Sequence, residues 1–546
     1  MWFPSRQKHR PRSTPRFRPC LETLEDRCLL SGGVLDQTFG TGGIVTTSGG
    51  WSAVNPNAVA TYPRAGTAND GKIVTTGQVS TSNGKSYFDF IRYNLDGSLD
   101  RSFGGTGQVA NSSGNVGNDV AVQPDGKIVG AGFALSAKTG DDFAVVRYNA
   151  DGSLDTTFGG KGGTAITDVN QKSTDMGRRV ALQKDGKIVV AGTTTPSGVN
   201  IGVSADLALV RYNPDGSLDT PFGAGGKVIQ HFASPLVAGG SGLFLDMAID
   251  PGSSPADPNT GKVVVVAELG SDRGTVLARF NTNGSLDTSF GSGAGYVTFS
   301  TVATGVSAAV QTDDRIVVAW ANLGLARLNA DGTPDLSFAS GGFAPLPNNS
   351  VARSVMIQAD GKILAAGYQG GAPRNFMVAR YNPADGSLDT SFGVNGVAVA
   401  TGVQLGTGLV RAALEPDGRI VVAGSAGANS FALARFLDAG PQIGSFTASP
   451  NPVMEGSSLT LTVLNITDLN PNSTVTQVAF YLDSNGDGLL DAGDALLASG
   501  SPTGTGAWTF TFSTAGLTSG TYTLFAQAQD NYGVFGDPVA TTETVS

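Results

Sequence analysis

The segment from Asp483 to Asp494 spaces oxygen-bearing residues as a calcium-binding loop does. Loop positions 1, 3, 5 and 9 carry side-chain oxygens, position 6 is glycine, and position 7 offers a backbone carbonyl. Calcium is a hard cation that takes six to eight oxygen ligands, and clustered carboxylates repel one another unless a cation lies among them. The residues predicted to bind Ca²⁺ are Asp483, Asn485, Asp487, Leu489, Asp491 and Asp494.

Two features distinguish this loop from the loop of helix–loop–helix calcium sensors. Its twelfth position is Asp494 rather than glutamate, and strands are predicted on both sides of it, at 477–482 and 495–499. Both differences favour a structural calcium site over one that drives a conformational change. The alternative reading is a solvated acidic turn that binds no metal.

Few other residues could carry out catalysis. His231 is the only histidine beyond the N-terminal segment, and both cysteines, Cys20 and Cys28, lie within that segment. A Ser-His-Asp or Cys-His arrangement and a multi-histidine zinc site are therefore not expected, and His231 is predicted to be an ordinary strand or loop residue. Paired carboxylates for glycoside cleavage remain possible in principle. Most aspartates, however, lie in repeated turns, where Asp caps the backbone.

An arginine and an aspartate recur together along the chain. The arginine shares a strand face with apolar residues, as in the segment 207–211, so its guanidinium needs a buried partner. The aspartate follows after eight residues in five cases and nine in the sixth, and the seventh arginine has only Asp36 left. The predicted structural pairs are Arg92–Asp100, Arg147–Asp155, Arg211–Asp219, Arg279–Asp287, Arg327–Asp335, Arg380–Asp389 and Arg435–Asp36. The alternative is a ring of arginines that lines an anion channel.

These pairs belong to a unit that returns seven times. Its fullest form runs through the segments 185–192, 207–213 and 215–219 and ends on Phe222-Gly223. Each unit contains four candidate strands, a to d, and an Asp-Gly dipeptide between a and b supplies the positive φ that a tight hairpin needs. Units of this length that cannot bury their own apolar face stack on one another, which predicts β-propeller blades.

The count of strands predicts how such a propeller closes. Strands a, b and c occur seven times, around 56–93, 116–148, 177–212, 243–280, 307–328, 350–381 and 408–436. The last set lacks a strand d, whereas an unmatched strand d lies at 42–46. We therefore expect the N-terminal strand to complete the seventh blade and remove the open sheet edges. Units four (259–262) and five (313–315) have degenerate turns.

Composition excludes several classes of partner. The chain of 546 residues has a net charge of −10, and its basic excess is confined to residues 1–31, so no nucleic-acid partner is expected. The region beyond that segment has no cysteine and therefore no disulfide framework. The sequence contains no run of about 18 apolar residues, so no transmembrane segment is predicted. The protein is expected to be monomeric.

The N-terminus carries a predicted sorting signal. Residues 1–20 are rich in Arg and Pro and are expected to be disordered. The segment 21–31 resembles the Leu-Glu-x-Leu-Glu-x-Arg-x-Leu-Leu-Ser leader of large exported or surface bacterial proteins. This resemblance implies an extracellular or cell-surface location. The alternative is a short amphipathic helix with no sorting role.

The repeated string Asp-Gly-Lys-Ile-Val…Arg-Tyr-Asn…Asp-Gly-Ser-Leu-Asp-x-x-Phe-Gly resembles the delta-60 repeat family of bacterial surface proteins. The resemblance spans roughly 34–436 and implies a β-propeller without established catalytic residues. Alternating runs at 458–463, 508–512 and 522–526 predict a second β-domain, which resembles the immunoglobulin-like modules of exported bacterial proteins. The predicted domains are a basic leader (1–33), a seven-bladed propeller (34–440) and a calcium-binding immunoglobulin-like β-sandwich (441–546).

These predictions lead to an exported, non-enzymatic protein that binds a surface glycan or protein. The a–b and c–d turns are short and repetitive and share one rim of the propeller, whereas the irregular b–c and d–a connections share the other. We call the second the variable rim and expect recognition there. The alternatives are a carbohydrate-active enzyme that uses carboxylates on the variable rim, and a purely architectural spacer. Three or more clustered carboxylates within a deep central pocket would favour the enzyme, whereas a shallow polar rim would favour binding.

Overall fold

The computed structural model describes residues 32–546, apart from several short gaps. The gaps are 49–52, 81–85, 112–115, 137–139, 161, 198–204, 237–244, 255, 271–273, 301–305, 322, 348, 372–373, 407–408, 428, 439, 469–473, 485, 487–489, 491–493, 504–505, 531–535 and 537. The described chain is all-β, and a single 3-10 turn at Gly291–Gly293 is its one helical segment. Within this part of the chain, no helix could cross a lipid bilayer. The leader segment 21–31 lies outside it.

The repeat region is built from antiparallel four-stranded sheets. Strand β1 (Ile44–Ser48) comes first in the chain. Units one to three contain β2 (Ala53–Thr61), β3 (Ile73–Ser80), β4 (Ser86–Tyr93), β5 (Gln108–Asn111); β6 (Val116–Val122), β7 (Ile128–Ser136), β8 (Gly140–Tyr148), β9 (Thr164–Thr167); β10 (Ser173–Leu182), β11 (Ile188–Pro196), β12 (Asp206–Tyr212) and β13 (Lys227–Gln230). Units four and five contain β14 (Leu245–Ile249), β15 (Val263–Glu268), β16 (Thr275–Phe280), β17 (Tyr296–Phe299); β18 (Val306–Val310), β19 (Ile316–Trp320), β20 (Gly324–Leu328) and β21 (Phe343–Pro345).

The last two units join the N-terminal strand. They contain β22 (Ser350–Ile357), β23 (Ile363–Gln369), β24 (Arg374–Tyr381), β25 (Val397–Leu405); β26 (Arg411–Leu414), β27 (Ile420–Ala426) and β28 (Ser430–Phe436). Strand β1 pairs antiparallel with β28, so that Ile44 lies opposite Ala434 and Ser48 opposite Ser430. The N-terminal strand thus occupies the fourth position of the unit-seven sheet. A bridge between Leu405 and Ala426 links this sheet to that of unit six.

The apolar strands are buried on both faces because each sheet packs between two others. In β11, Ile188 and Val190 pack with unit-two residues, whereas Val189 and Ala191 pack with unit-four residues. Side chains alternate between the faces of a strand, so a strand covered on both sides is continuously apolar. A corresponding cluster joins unit seven to unit one and includes Val421 and Ile73.

The C-terminal region forms two further four-stranded sheets. One contains β29 (Gln442–Ser449), β30 (Ser458–Thr467), β34 (Trp508–Ser513) and β33 (Ser501–Pro502). The other contains β32 (Ala495–Ser499), β31 (Val475–Leu482), β35 (Gly520–Asp530) and β36 (Val539–Val545). Both contribute to one buried cluster, which includes Leu461 from the first sheet and Phe480 from the second. The strands predicted from alternating sequence in this region are all present.

Candidate functional site

An arginine on the third strand of each repeat unit binds the motif aspartate. Its Nε donates to the aspartate Oδ2 at 2.6–2.9 Å in every unit. The seven arginines are 0–6% exposed. The pairs are Arg92–Asp100, Arg147–Asp155, Arg211–Asp219, Arg279–Asp287, Arg327–Asp335, Arg380–Asp389 and Arg435–Asp36. The predicted pairing is therefore confirmed in all seven units, including the one whose partners are 399 residues apart.

The motif phenylalanine packs against the same arginine. In every unit the guanidinium carbon lies 4.3–4.8 Å from the centroid of a phenylalanine ring, a contact that contributes about 2 kcal/mol when it is shielded from water. The rings are Phe103, Phe158, Phe222, Phe290, Phe338, Phe392 and Phe39. Because each guanidinium is ion-paired, stacked and buried, the alternative of an arginine-lined anion channel is wrong.

Each motif is also bonded to the following unit. The Arg92 Nη1 donates to the Ala150 carbonyl of unit two, and the same contact recurs in the next five units. The backbone amide after each phenylalanine makes a second contact of this kind. The amide–carbonyl pairs are Gly40–Asp96, Gly104–Asp151, Gly159–Asp215, Gly223–Asn283, Gly291–Asp331, Ala339–Asp385 and Gly393–Gly32.

A second cation, which the sequence reasoning missed, binds each motif aspartate. The third residue of the Asp-Gly-Lys turn, Lys or Arg, lies 2.7–3.3 Å from the same Oδ2. These residues are Lys72, Lys127, Lys187, Lys262, Arg315, Lys362 and Arg419. The sequence pattern that could have predicted this contact is a basic residue at this position in all seven units. We call the end of the sheets that carries these contacts the ion-pair rim.

The surrounding cations keep the motif aspartates ionised. Burial acts to raise the pKa of Asp100, but hydrogen bonds from Lys72 and Ser102 and the charge of Arg92 hold that pKa at about 2. The pKa of Asp287 is likewise held at about 2 against the effect of burial. The network therefore ties the a–b turn of each unit to its c–d turn by charge–charge contacts that persist at neutral pH.

Three aspartates meet on the variable rim between units two and three. Asp142 lies near the start of β8, Asp168 follows β9, and Asp175 lies near the start of β10. Their carboxylate oxygens lie within 4.8 Å of one another, and they form the one such group in the described part of the chain. Carboxylates so placed can share a hard cation or work as an acid and base pair. No repeated pattern brings them together, so sequence reasoning missed them.

The most buried member of this group is held by its own segment. Asp175 is fully buried, and its Oδ1 accepts a hydrogen bond from the Ser173 hydroxyl at 2.5 Å. Its Oδ2 accepts one from the Val169 amide at 2.7 Å. Burial raises the pKa of Asp175, an effect that these hydrogen bonds oppose.

The predicted calcium loop is only partly described. Asp483 and Asp494 lie in the described part, where the Gly486 amide donates to Asp483 Oδ1 at 2.6 Å and the Ser484 amide donates to Asp494 Oδ1 at 3.0 Å. These contacts bring the first and last predicted ligands to one turn. The other predicted ligands, Asn485, Asp487, Leu489 and Asp491, lie outside the described residues.

His231 lies at the surface of the variable rim. Its Nδ1 is 2.6 Å from Asp206 Oδ1, and its side chain is 78% exposed. It follows strand β13 directly, which agrees with the prediction of a strand or loop residue.

Comparison with known proteins identifies a family that the repeat units match. Seven segments match the family described as "Domain of unknown function (DUF5122) beta-propeller": 68–103, 123–158, 183–222, 259–290, 311–338, 358–392 and 415–439. The chain is a β-propeller repeat protein. Each matched segment contains the arginine of one ion-pair set, so the contacts of the ion-pair rim are what the propeller repeats have in common. No curated protein matches the chain.

Two solved structures are similar to the propeller protein at low identity. One is a fungal alcohol oxidase of the AA5 family in complex with copper, with 15% identity, 92% of this chain and 98% of that chain covered, and a TM-score of 0.37. The other is Raptor from Chaetomium thermophilum, with 11% identity, 72% and 30% coverage, and a TM-score of 0.42. The aligned region thus spans less than a third of the Raptor chain.

The prediction that the protein is not an enzyme is corrected, because the similar structures include an oxidase. That prediction relies on the presence of a single histidine, His231, and of no cysteine beyond the N-terminal segment. Catalytic groups on a propeller are carried by particular side chains rather than by the fold, so a repetitive scaffold excludes no activity. At a TM-score of 0.37, the likeness assigns no reaction to this chain.

Proposed function

We propose that residues 34–440 form a seven-bladed propeller closed by β1, and that residues 441–546 form an immunoglobulin-like sandwich. The pairing of β1 with β28 and the seven amide–carbonyl contacts, which lead from unit to unit and back to unit one, support the closed ring. The two C-terminal sheets with a shared core support the sandwich. The resemblance to delta-60 repeats agrees with this arrangement.

The proposed function is that of an exported binding protein of the cell surface, which uses the propeller as a scaffold for adhesion to a glycan or protein. The observation that carries this proposal is the difference between the two rims. The ion-pair rim is occupied by buried contacts repeated in every unit, and its a–b connections exceed five residues only in units one and four, whereas the variable rim carries groups that do not repeat, such as Asp168 and His231. Irregular loops on a rigid scaffold are the usual place for recognition. The leader resemblance supports export.

A binding screen of the full-length protein tests this proposal. Glycan arrays and pull-downs from bacterial surface extracts should identify a ligand whose binding is saturable. Substitution of His231 by alanine and of Asp168 by asparagine on the variable rim should weaken that binding. The variant Asp331→Asn on the ion-pair rim is the matched control and should bind as the native protein does. Binding that is unaffected by the variable-rim variants would contradict the proposal.

We also propose that the C-terminal domain binds structural Ca²⁺ through the loop at 483–494. The region 441–546 contains nine acidic residues and neither Lys nor Arg, so no basic side chain of its own can compensate the four aspartates of this loop. A cation would remove their mutual repulsion. With a Kd near 10⁻⁴ M and millimolar calcium, binding would stabilise the domain by about 1.4 kcal/mol.

Thermal unfolding with calcium or with a chelator tests this site. The transition of the C-terminal domain should shift upward by a few degrees in calcium. The double variant Asp487→Asn, Asp491→Asn should lose that shift, whereas Asp468→Asn, which lies outside the loop, should keep it. Equal shifts in all three proteins, or none in the native protein, would refute the assignment.

A second candidate is a carbohydrate-active enzyme, which the group of Asp142, Asp168 and Asp175 favours. Glycoside cleavage needs two carboxyl groups about 5–10 Å apart. Asp142 and Asp175 are both buried, and Asp175 is also bonded to its own segment, so Asp168, which is half-buried, is the most exposed of the three carboxylates. Hydrolysis of a polysaccharide panel that Asp168→Asn abolishes and Asp331→Asn retains would support this candidate; the same hydrolysis by both variants would exclude these residues as the catalytic pair.

A further inference from the structure

A cleft of about 550 Å³ opens on the ion-pair rim between units three and four. One wall is the tight turn at 183–187, and the other belongs to the a–b connection of unit four at 250–262. Leu182 and Ile249 contribute apolar surface to it. The volume lies within the range of about 300–1,000 Å³ that is typical of small-molecule sites.

The cleft lies where the repeat is broken. The a–b connection has five residues in five of the units, as at 183–187, but thirteen in unit four. Unit one also has a long connection, at 62–72, and a smaller cleft of about 350 Å³ lies beside it. Both clefts therefore form where an extended connection faces the short turn of the preceding unit.

Unit four carries Asp250 at a position where most units carry glutamine, and Asp250 lines this space. The residue after strand a pairs its amide with the carbonyl at the end of the connection in every unit; these residues are Tyr62, Gln123, Gln183, Asp250, Gln311, Gln358 and Glu415. In unit three, the side-chain oxygen of Gln183 accepts a hydrogen bond from Arg211 Nη1 at 3.4 Å. Asp250 is one methylene shorter than glutamine or glutamate. It is 1% exposed, and its buried Oδ2 has no hydrogen-bond partner, as is also true of the side-chain oxygens of Gln123, Gln311 and Gln358; unit four differs in carrying a carboxylate there beside a long connection.

The two walls of the cleft are joined at two points. Lys184 Nζ donates to the Pro251 carbonyl at 2.9 Å, and Gln183 Nε2 donates to the Gly261 carbonyl at 3.1 Å. Asp250 Oδ1 accepts the Gly252 amide at 2.9 Å, which fixes its carboxylate. A site that is fixed before binding loses little conformational entropy when a ligand enters.

The charges of the cleft select the class of ligand. The Oδ2 of Asp250 needs a donor, whereas the ammonium groups of Lys184 and Lys187 can use further acceptors. Because acidic and basic groups line the cleft together, a charged ligand would meet both attraction and repulsion: Asp185 and Asp250 repel an anion, and Lys184, Lys187 and Arg211 repel a cation. A hydroxyl group both donates and accepts, so a neutral ligand that carries several hydroxyls satisfies both kinds of group.

We propose that this cleft binds a neutral saccharide, whose hydroxyls donate to Asp250 and accept from Lys184. Burial raises the pKa of Asp250 to about 6, so its carboxylate is mostly ionised and able to accept at pH 7.5. The site is distinct from the variable rim, and its variants leave that rim unchanged. Failure of one proposal therefore does not affect the other.

Titration of the full-length protein with small sugars tests the proposal. Calorimetry and saturation-transfer NMR would use glucose, galactose, mannose and N-acetylglucosamine, with glucuronic acid and glucosamine as charged comparators. At least one neutral sugar should bind saturably at pH 7.5. The variant Asp250→Gln, which introduces the residue used by most other units, should reduce its affinity at least tenfold. Gln123→Asp, the reverse change in a unit with a short connection, should leave the affinity unchanged.

Three results would overturn the proposal: no neutral sugar binds, Asp250→Gln binds as tightly as the native protein, or a charged sugar binds more tightly than every neutral one. If Asp250→Gln does not fold, as judged by circular dichroism, the exposed Lys184→Ala variant decides. Lys184→Ala should weaken binding of the neutral sugar at least threefold, and an unchanged affinity would likewise overturn the proposal.

Discussion

Neutralising one motif aspartate should destabilise the propeller strongly, and Asp287→Asn is the sharpest case. Asp287 is 4% exposed and is bound by Arg279 at 2.7 Å and by Lys262 at 2.8 Å. Its pKa of about 2 lies roughly two units below the ordinary value, which corresponds to about 2–3 kcal/mol at neutral pH. Loss of one partner of a buried ion pair costs about 3–5 kcal/mol. Because Arg279 keeps its contacts with Phe290 and the Ala330 carbonyl, we expect a loss of about 2–4 kcal/mol.

Urea unfolding at pH 7 checks this value against a variant with the same change of charge. Asp331 is an exposed turn residue whose Oδ1 accepts hydrogen bonds from the amide and hydroxyl of Thr333. In unit four, Asn283 makes the same contacts with Ser285, so Asp331→Asn should cost less than about 0.5 kcal/mol. If both variants unfold at the same urea concentration as the native protein, the ion-pair rim does not stabilise the fold in the way we describe.

Three further predictions follow from the same contacts. Since the motif aspartates have lowered pKa values, their stabilisation is complete above about pH 4 and is lost as the pH falls towards 2, so acid unfolding followed by circular dichroism should fall in that interval. Glu543 is 1% exposed and burial raises its pKa, so its contribution to the stability of the C-terminal domain declines as the pH rises. Glu543→Leu should therefore raise the melting temperature of that domain at pH 7 in calorimetry, and an unchanged melting temperature would count against this reading. Removal of residues 32–48 takes away β1 and Asp36 and leaves the edge of β28 exposed, so the protein should aggregate in size-exclusion chromatography; a stable monomer would argue against closure by β1.

The repeat made much of the fold predictable. The repeated apolar runs located the strands of every unit, with Asp-Gly turns between strands a and b in five units, and the arginine within an apolar strand demanded a buried acid, which the structure supplies. Even the pairing of Arg435 with Asp36 followed from counting units. Such features are predictable because each occurs in seven units, so a pattern found in one unit can be checked in the others.

Features that occur once were beyond the reach of the sequence. Asp142 and Asp175 come from different units and meet only because neighbouring sheets pack together. The cleft beside Asp250 depends on how a thirteen-residue connection folds against the turn at 183–187. The contact of a Lys or Arg with each motif aspartate is hidden for another reason: the Asp-Gly-Lys turn is a hairpin signal, and the partner of its equally regular basic residue is apparent only in the folded structure.

The contact between β1 and β28 has a consequence for the time course of folding. Asp36 and Arg435 are separated by 399 residues, so the first strand has no partner until nearly the whole repeat region has been synthesised. At about 5–20 residues per second, translation keeps that strand waiting for roughly 20–80 seconds. During this interval the other six sheets can assemble one after another, but the pairing of β1 with β28 can form only after β28 has been synthesised. The first strand of the repeat region is therefore the last to find its partner.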